Sequence, residues 1–135
     1  MTLVDTNVLL DVFTKDSNWL DWSVARLEQA AIRGPLLIND VIYAETSTRY
    51  PTIEAFETAL AGTGVAVVST PRMALFVAGK AFARYRGAGG HRTGVLAVFF
   101  IGAHAVVERV PLLTRDARRY RTYFPTIELI APGED

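Results

Sequence analysis

The chain has 135 residues, 14 Lys+Arg balanced by 14 Asp+Glu, and no cysteine. That length suits one domain, residues 1–135, burying about two-thirds of the surface of its unfolded chain. Zero net charge leaves any nucleic-acid contact to local patches, and the missing thiols exclude disulfides and sulfur ligands, so a metal would have to be held by oxygen. No basic stretch followed by an apolar run and cleavage site opens the chain, and the most apolar segment, 95–107, is too short to cross a bilayer, so a soluble, cytoplasmic protein is expected.

The apolar run Leu3-Val4 ends at Asp5, and Thr6-Asn7 opens a helix whose Val8, Leu9 and Val12 recur at helical spacing. This predicts strand, turn, helix, with Asp5 at the strand's carboxyl end or simply capping the helix. Ser17-Asn18 is the expected cap of a second helix with Leu20, Val24, Leu27 and Ala31 on one face, ending near Gly34-Pro35. Leu36-Leu37-Ile38 reads as a strand, and Asn39-Asp40 starts a helix through Glu45 that Pro51 stops. A further helix over 52–60 is broken by Gly62 and Gly64, Val65 to Val68 reads as a strand, and Ser69-Thr70-Pro71 is the expected cap of a helix over 72–86.

Gly87-Ala88-Gly89-Gly90 reads as a flexible loop, and Val95 to Val107, apolar nearly all round, as a central buried helix. Pro111 to Thr114 is a short strand, Arg115-Asp116 a turn, Ala117 to Tyr123 an arginine-rich helix, and Ile127 to Ile130 a closing strand. Short apolar strands alternating with helices predict a three-layer α/β/α sandwich around a mainly parallel sheet.

In such a sheet Asp5, Glu45 and Asp116 fall at one edge, Asp5 and Asp116 after their strands and Glu45 near the start of the helix after the second strand. Clustered acids repel unless a cation is shared, and a hard ion such as Mg²⁺ binds through one or two carboxylates and waters. Taken singly, Glu45 reads as an exposed helix acid and Asp116 as a turn or cap residue; together they point to a metal site that could polarise a phosphodiester. Arg115, Arg118, Arg119 and Arg121, interleaved with Tyr120 and Tyr123, form the densest basic patch, suited to gripping phosphates and stacking a base, or to a solvated helix face. Lys80, Arg84, Arg86 and Arg92 form a second patch. His104, in an apolar helix, is expected to be a hydrogen-bonded core histidine, and His91 carries little signal.

Four stretches, Asp5-Thr6-Asn7, Ile38 to Glu45, Phe99 to Ala105 and Leu113 to Asp116, together resemble the PIN-domain family, and more narrowly the VapC-type toxins of toxin–antitoxin pairs. The resemblance spans nearly the whole chain in order. It implies a metal-dependent endoribonuclease using Mg²⁺ or Mn²⁺, usually a homodimer, that cleaves RNAs such as tRNA or rRNA and is neutralised by a cognate antitoxin. It maps the family's acids onto Asp5, Glu45 and Asp116, with Thr114 as the hydroxyl residue before the last acid and Asn7 bracing the first. It also exposes a departure: the family carries an aspartate directly ahead of Phe99-Phe100, and here that residue is Val98. A valine cannot ligate, so impaired catalysis is expected. A groove for a hydrophobic antitoxin segment is expected at the second and third helices. The competing expectations are a catalytically inactive PIN-fold module that binds an antitoxin, and, last, a phosphate-transfer domain with Asp5 as nucleophile. The latter usually needs an acid two residues on, where this chain has Asn7.

Overall fold

The computed structural model describes residues 1–91 and 95–134. Five short parallel strands, β1 (Thr2–Val4), β2 (Leu36–Asn39), β3 (Ala66–Val68), β4 (Leu112–Leu113) and β5 (Leu129–Ile130), form one sheet in the order β3-β2-β1-β4-β5. Every pairing is parallel, so the expectation of a mainly parallel sheet holds throughout the described strands. The closing strand is shorter than expected: Ile127 is buried in the turn before it.

Helices α1 (Thr6–Phe13), α2 (Leu20–Arg33), α3 (Asp40–Ser47) and α4 (Ile53–Ala61) fill the connections β1 to β2 to β3. Helices α5 (Arg72–Gly87) and α6 (Leu96–Glu108) carry the chain back across to β4, and α7 (Ala117–Tyr123) leads to β5. Right-handed crossovers put the first four on one face and the last three on the other, which completes the three layers. The core forms where the apolar strands meet these helices: Leu3, Val4, Ile38, Leu112 and Leu113 are wholly buried, as are Val8, Leu9 and Ile42 on the helices that follow.

Helix α6 is the central one, with Val98, Phe99 and 101–105 buried. Its Gly102 lies under the Phe124 ring at the end of α7, so closely that a Cβ there would come within 2.4 Å of ring carbons. Phe99 continues this contact into a cluster with Phe82, Tyr85 and Tyr123.

Several local readings are displaced by side chains that found other partners. The Asp16 carboxylate, not Ser17-Asn18, accepts from the amides of Asn18 and Trp19 at the approach to α2. That helix buries Ser23 and Ala30 and leaves Ala31 exposed. In α1 the buried stripe is Val8, Leu9 and Asp11, with Val12 only partly covered. Thr70 does not cap α5; its hydroxyl and amide bind Asp40, tying the end of β3 to the start of α3, and Pro71 stands at the cap position. Asn39 does cap α3, accepting from the Ile42 amide at 2.9 Å.

Candidate active site

Because the strands are parallel and in register, β1 and β4 end side by side with Val4 opposite Leu113, and the residues that follow, Asp5 and Thr114 to Asp116, emerge at one edge. Asp5 is the N-cap of α1; its Oδ1 accepts from the Thr6 amide at 2.8 Å, and its Oδ2 accepts from the Thr114 hydroxyl at 2.7 Å and from Asn7 Nδ2 at 3.3 Å. Asn7 also donates to Thr114 Oγ1, and its Oδ1 accepts from the Arg115 amide at 3.2 Å. The Thr114 oxygen in turn accepts from the Asp116 amide at 3.0 Å. Asn7 and Thr114 therefore fasten the turn after β4 to the start of α1 and set Asp116 close to Asp5.

Glu45 comes from the last turns of α3, not from its start, and accepts from the Thr6 hydroxyl at 2.7 Å. Asp5, Glu45 and Asp116 line one cavity of about 200 Å³, with Val98, Arg119 and Tyr120 in its walls. Val98, in the first turn of α6 and 7 % exposed, lines the same cavity.

Burial dominates the electrostatics of this cavity. It pushes the Asp5 carboxyl from 3.8 up to about 6, opposed by hydrogen bonds from Thr114, the Thr6 amide and the Tyr120 hydroxyl, with the Glu45 charge adding to the rise. The same burial, then the charge and hydrogen bond of Asp5, holds the Tyr120 phenol well above its usual range. A tyrosine kept protonated beneath a carboxylate is a permanent donor. Nothing in one dimension marked Tyr120 for this role except its place four residues after Asp116. Being 1 % exposed, it is not the base-stacking residue the arginine-tyrosine pattern suggested.

The donors are all oxygen, which fits a hard divalent cation, but among the described residues no three His, Cys, Asp or Glu side chains converge closely enough to form a metal cage. The acids hold other partners: Asp116 caps α7 and pairs with Arg119 at 3.3 Å, and Glu45 is engaged by Thr6. A cation here would be held through one or two carboxylates and waters, as small hard ions commonly are.

The four arginines of the basic stretch have separate positions. Arg115 makes a two-pronged contact with buried Asp11, at 2.6 and 2.9 Å, and lies 5.0 Å over the Trp19 ring; Ser23 completes the Asp11 shell at 2.7 Å. Arg121 pairs with Glu134 at 2.9 Å. Arg119 faces the cavity, and Arg118 is exposed with its guanidinium unpaired among the described residues. Of the second patch, Lys80 lies over Phe76, Arg86 over Phe82, Arg84 is exposed, and Arg92 lies outside the described residues.

His104 is the core histidine expected: 3 % exposed, its Nδ1 accepts from Asn39 Nδ2 at 3.0 Å, since Asn39 Oδ1 is already taken by the Ile42 amide. Burial lowers its pKa, so the neutral ring is the native form. His91 bonds the Gly89 carbonyl. The apolar cavity closest to the expected groove is walled by α3 and α4, through Tyr43, Tyr50, Ile53 and Phe56, with no part played by α2. No helix among the described residues is long and apolar enough to cross a membrane.

Comparison with known proteins gives a family-model match to the PIN domain over residues 2–125. No curated protein sequence matches. Among solved structures, the chain is similar to one in VapBC2 from Rickettsia felis bound to a DNA fragment from their promoter, with a TM-score of 0.73, 16% identity, and coverage of 96% of this chain and 97% of that one. It is also similar to a chain of VapBC-1 from nontypeable Haemophilus influenzae, with a TM-score of 0.71, 16% identity and 96% coverage of both. A chain of FitAcB from Neisseria gonorrhoeae aligns with a TM-score of 0.69, again at 16% identity and 96% coverage of both. At such identity these likenesses establish a shared fold.

Proposed function

The chain belongs to the PIN-domain family, and from that premise we propose that it is the metal-dependent endoribonuclease toxin of a VapBC-type toxin–antitoxin pair, with catalysis impaired by Val98. The observation that carries this reading is the shared cavity: Asp5, Glu45, Asp116 and Val98 all line it, Val98 being the position where the family carries a further acid. Asp5, with Asp116 and Glu45 around it, would hold Mg²⁺ or Mn²⁺, whose chemistry is to polarise a phosphodiester and acidify an attacking water. Around that ion the protein's own groups act by placement. Thr114, Asn7 and Tyr120 fix the Asp5 carboxylate, Thr6 fixes Glu45, and Arg119 stands where it can meet phosphate once released from Asp116. With valine at the position of one acid, these residues would hold the ion more weakly and place the water less well.

The single domain of residues 1–135 would act in the cytoplasm on an RNA such as tRNA or rRNA, as a homodimer neutralised by its antitoxin. Exposed Met73 and Phe76, one turn apart on α5, offer an apolar surface for the second copy. The groove between α3 and α4 offers a seat for the antitoxin.

A second reading, a catalytically inactive PIN-fold module that binds an antitoxin and with it promoter DNA, is favoured by the pairing of Asp116 with Arg119 and the absence of three convergent metal-ligating side chains among the described residues. RNA cleavage with Mn²⁺ or Mg²⁺, and with EDTA as control, separates the two. The toxin reading expects Val98→Asp to cleave at least tenfold faster than the parent chain, and Val98→Asp with Asp5→Asn to be silent. Equal rates for parent and Val98→Asp would sink the claim of impairment, and no cleavage by either would favour the binding module.

A further inference from the structure

The cavity with the three acids does not end at Arg119. It shares Asp116 and Arg119 with a second cavity that runs along α7 past Arg118, and that one shares Thr122 and Tyr123 with a third, between α7 and α5, lined by Arg84 and Tyr85. Their volumes, about 200, 310 and 270 Å³, each fall at or below the low end for pockets that enclose a whole small ligand. Joined end to end they suit an extended chain instead.

The lining has the chemistry of such a ligand. Arg118 and Arg84 are exposed, and their guanidinium groups make no hydrogen bond or ion pair among the described residues. The Arg119 guanidinium meets Asp116 in a surface pair, of the kind worth little and readily exchanged. Beside these cations Tyr123, half-buried, packed edge-on with Tyr85 and tilted against Phe99, presents an aromatic rim. Cations spaced along a groove with aromatic rings between them are how proteins hold single-stranded nucleic acid without reading its sequence. By contrast Arg115 and Arg121, equally basic in sequence, are tied to Asp11 and Glu134.

We propose that this strip, Arg119, Arg118, Tyr123 and Arg84 in that order from the acids, is the path of single-stranded RNA leaving the active site. The proposal rests on the ribonuclease reading for the identity of its ligand. It makes a choice the basic composition alone does not: the strand runs over α7 toward the C-terminal end of α5, and a single strand is preferred to a duplex.

The test is binding in EDTA, where no cleavage occurs, of a short fluorescein-labelled oligouridylate to the full chain, followed by anisotropy across a salt series. Arg84→Ala with Arg118→Ala is expected to weaken binding and to lower the slope of log K against log salt by about 1.4, about 0.7 for each lost phosphate contact on a single strand. Arg33→Ala, which removes one exposed positive charge from the end of α2, away from the strip, leaves the slope unchanged. An oligonucleotide carrying 4-thiouridine crosslinks under ultraviolet light to the peptides bearing Tyr85 or Tyr123, and a duplex of equal length competes poorly. The strip is overturned by an unchanged slope in the double variant, by an equal loss in Arg33→Ala, by crosslinks elsewhere, or by no binding of the oligouridylate. Displacement of the RNA by an Asp/Glu peptide whose own binding needs the same two arginines would also overturn it, making the strip a protein-docking surface. Intact strip binding with no cleavage by Val98→Asp defeats the nuclease reading instead, so the two failures are distinct.

Discussion

Asp5 and Asp11 lie within two turns of each other at the start of the chain, both withdrawn from solvent, and the fold treats them in opposite ways. Asp11 is 1 % exposed and closed in by the Arg115 guanidinium and the Ser23 hydroxyl. Asp5 is 6 % exposed and among the described residues receives only neutral donors: Thr114, Asn7, the Thr6 amide and the Tyr120 phenol. Burying a charge without a counter-ion is costly, and proteins keep such groups where something else will supply the charge. The contrast teaches where to look: the satisfied aspartate is architecture, and the one left short of a cation belongs to the site.

The largest effect is expected at the satisfied one. Arg115→Met strands a buried carboxylate and should cost about 4 kcal/mol, seen as a lower urea midpoint with unchanged slope. Adding Asp11→Leu should restore most of it; an equal loss in single and double variants would show that packing, not the stranded charge, is at stake.

At Asp5 the sign is reversed. Its carboxyl titrates near 6 in the fold against 3.8 unfolded, so between those values the native state holds more proton and stability falls as pH rises through the window, by up to about 3 kcal/mol. Below 3.8 and above 6 this group adds no slope. Asp5→Asn should flatten that part of the profile in urea melts, and a profile no flatter than the parent's would break the comparison.

Thr114→Val should cost about 2 kcal/mol, because Asp5 loses a donor and the Asp116 amide an acceptor. It should also move the Asp5 window to higher pH, whereas loss of packing alone would lower the whole curve evenly. The smallest effect belongs to Arg119→Ala, under about 1 kcal/mol for an exposed pair. By freeing Asp116 it should tighten Mn²⁺ binding in titration calorimetry; unchanged or weaker binding would mean that Arg119 does not compete with the ion.

Much of this was open to inspection in the chain itself, because its signals are local. The turn from Val4 into Asp5-Thr6-Asn7, the apolar length of α6 and the cap at Asn39 each depend on residues a few positions apart, and the register of a parallel sheet then gathers the acids without further information. The arrangement that eluded the sequence depends on pairs about a hundred residues apart. Arg115 looked like part of a basic patch until Asp11 claimed it, and Tyr120 looked solvent-facing until α7 docked against α6. A one-dimensional clue to Asp11 did exist: an acid in step with Val8 on a helix face that otherwise goes to the core. The capping errors have a different origin: Asp16 and Asp40 are sturdier acceptors than the hydroxyls that seemed to flank each helix.

The seating of Phe124 over Gly102 has a mechanical consequence. Phe124 ends the helix whose other end is Asp116 and whose middle is Tyr120, so the bare backbone at 102 is the fulcrum on which that helix rests. Any side chain there acts as a wedge. It must displace the ring or α7 itself, and where α7 gives, the wall of the acid cavity that carries Asp116 and Tyr120 moves with it, so the aperture of the site is tied to a glycine outside the cavity's lining.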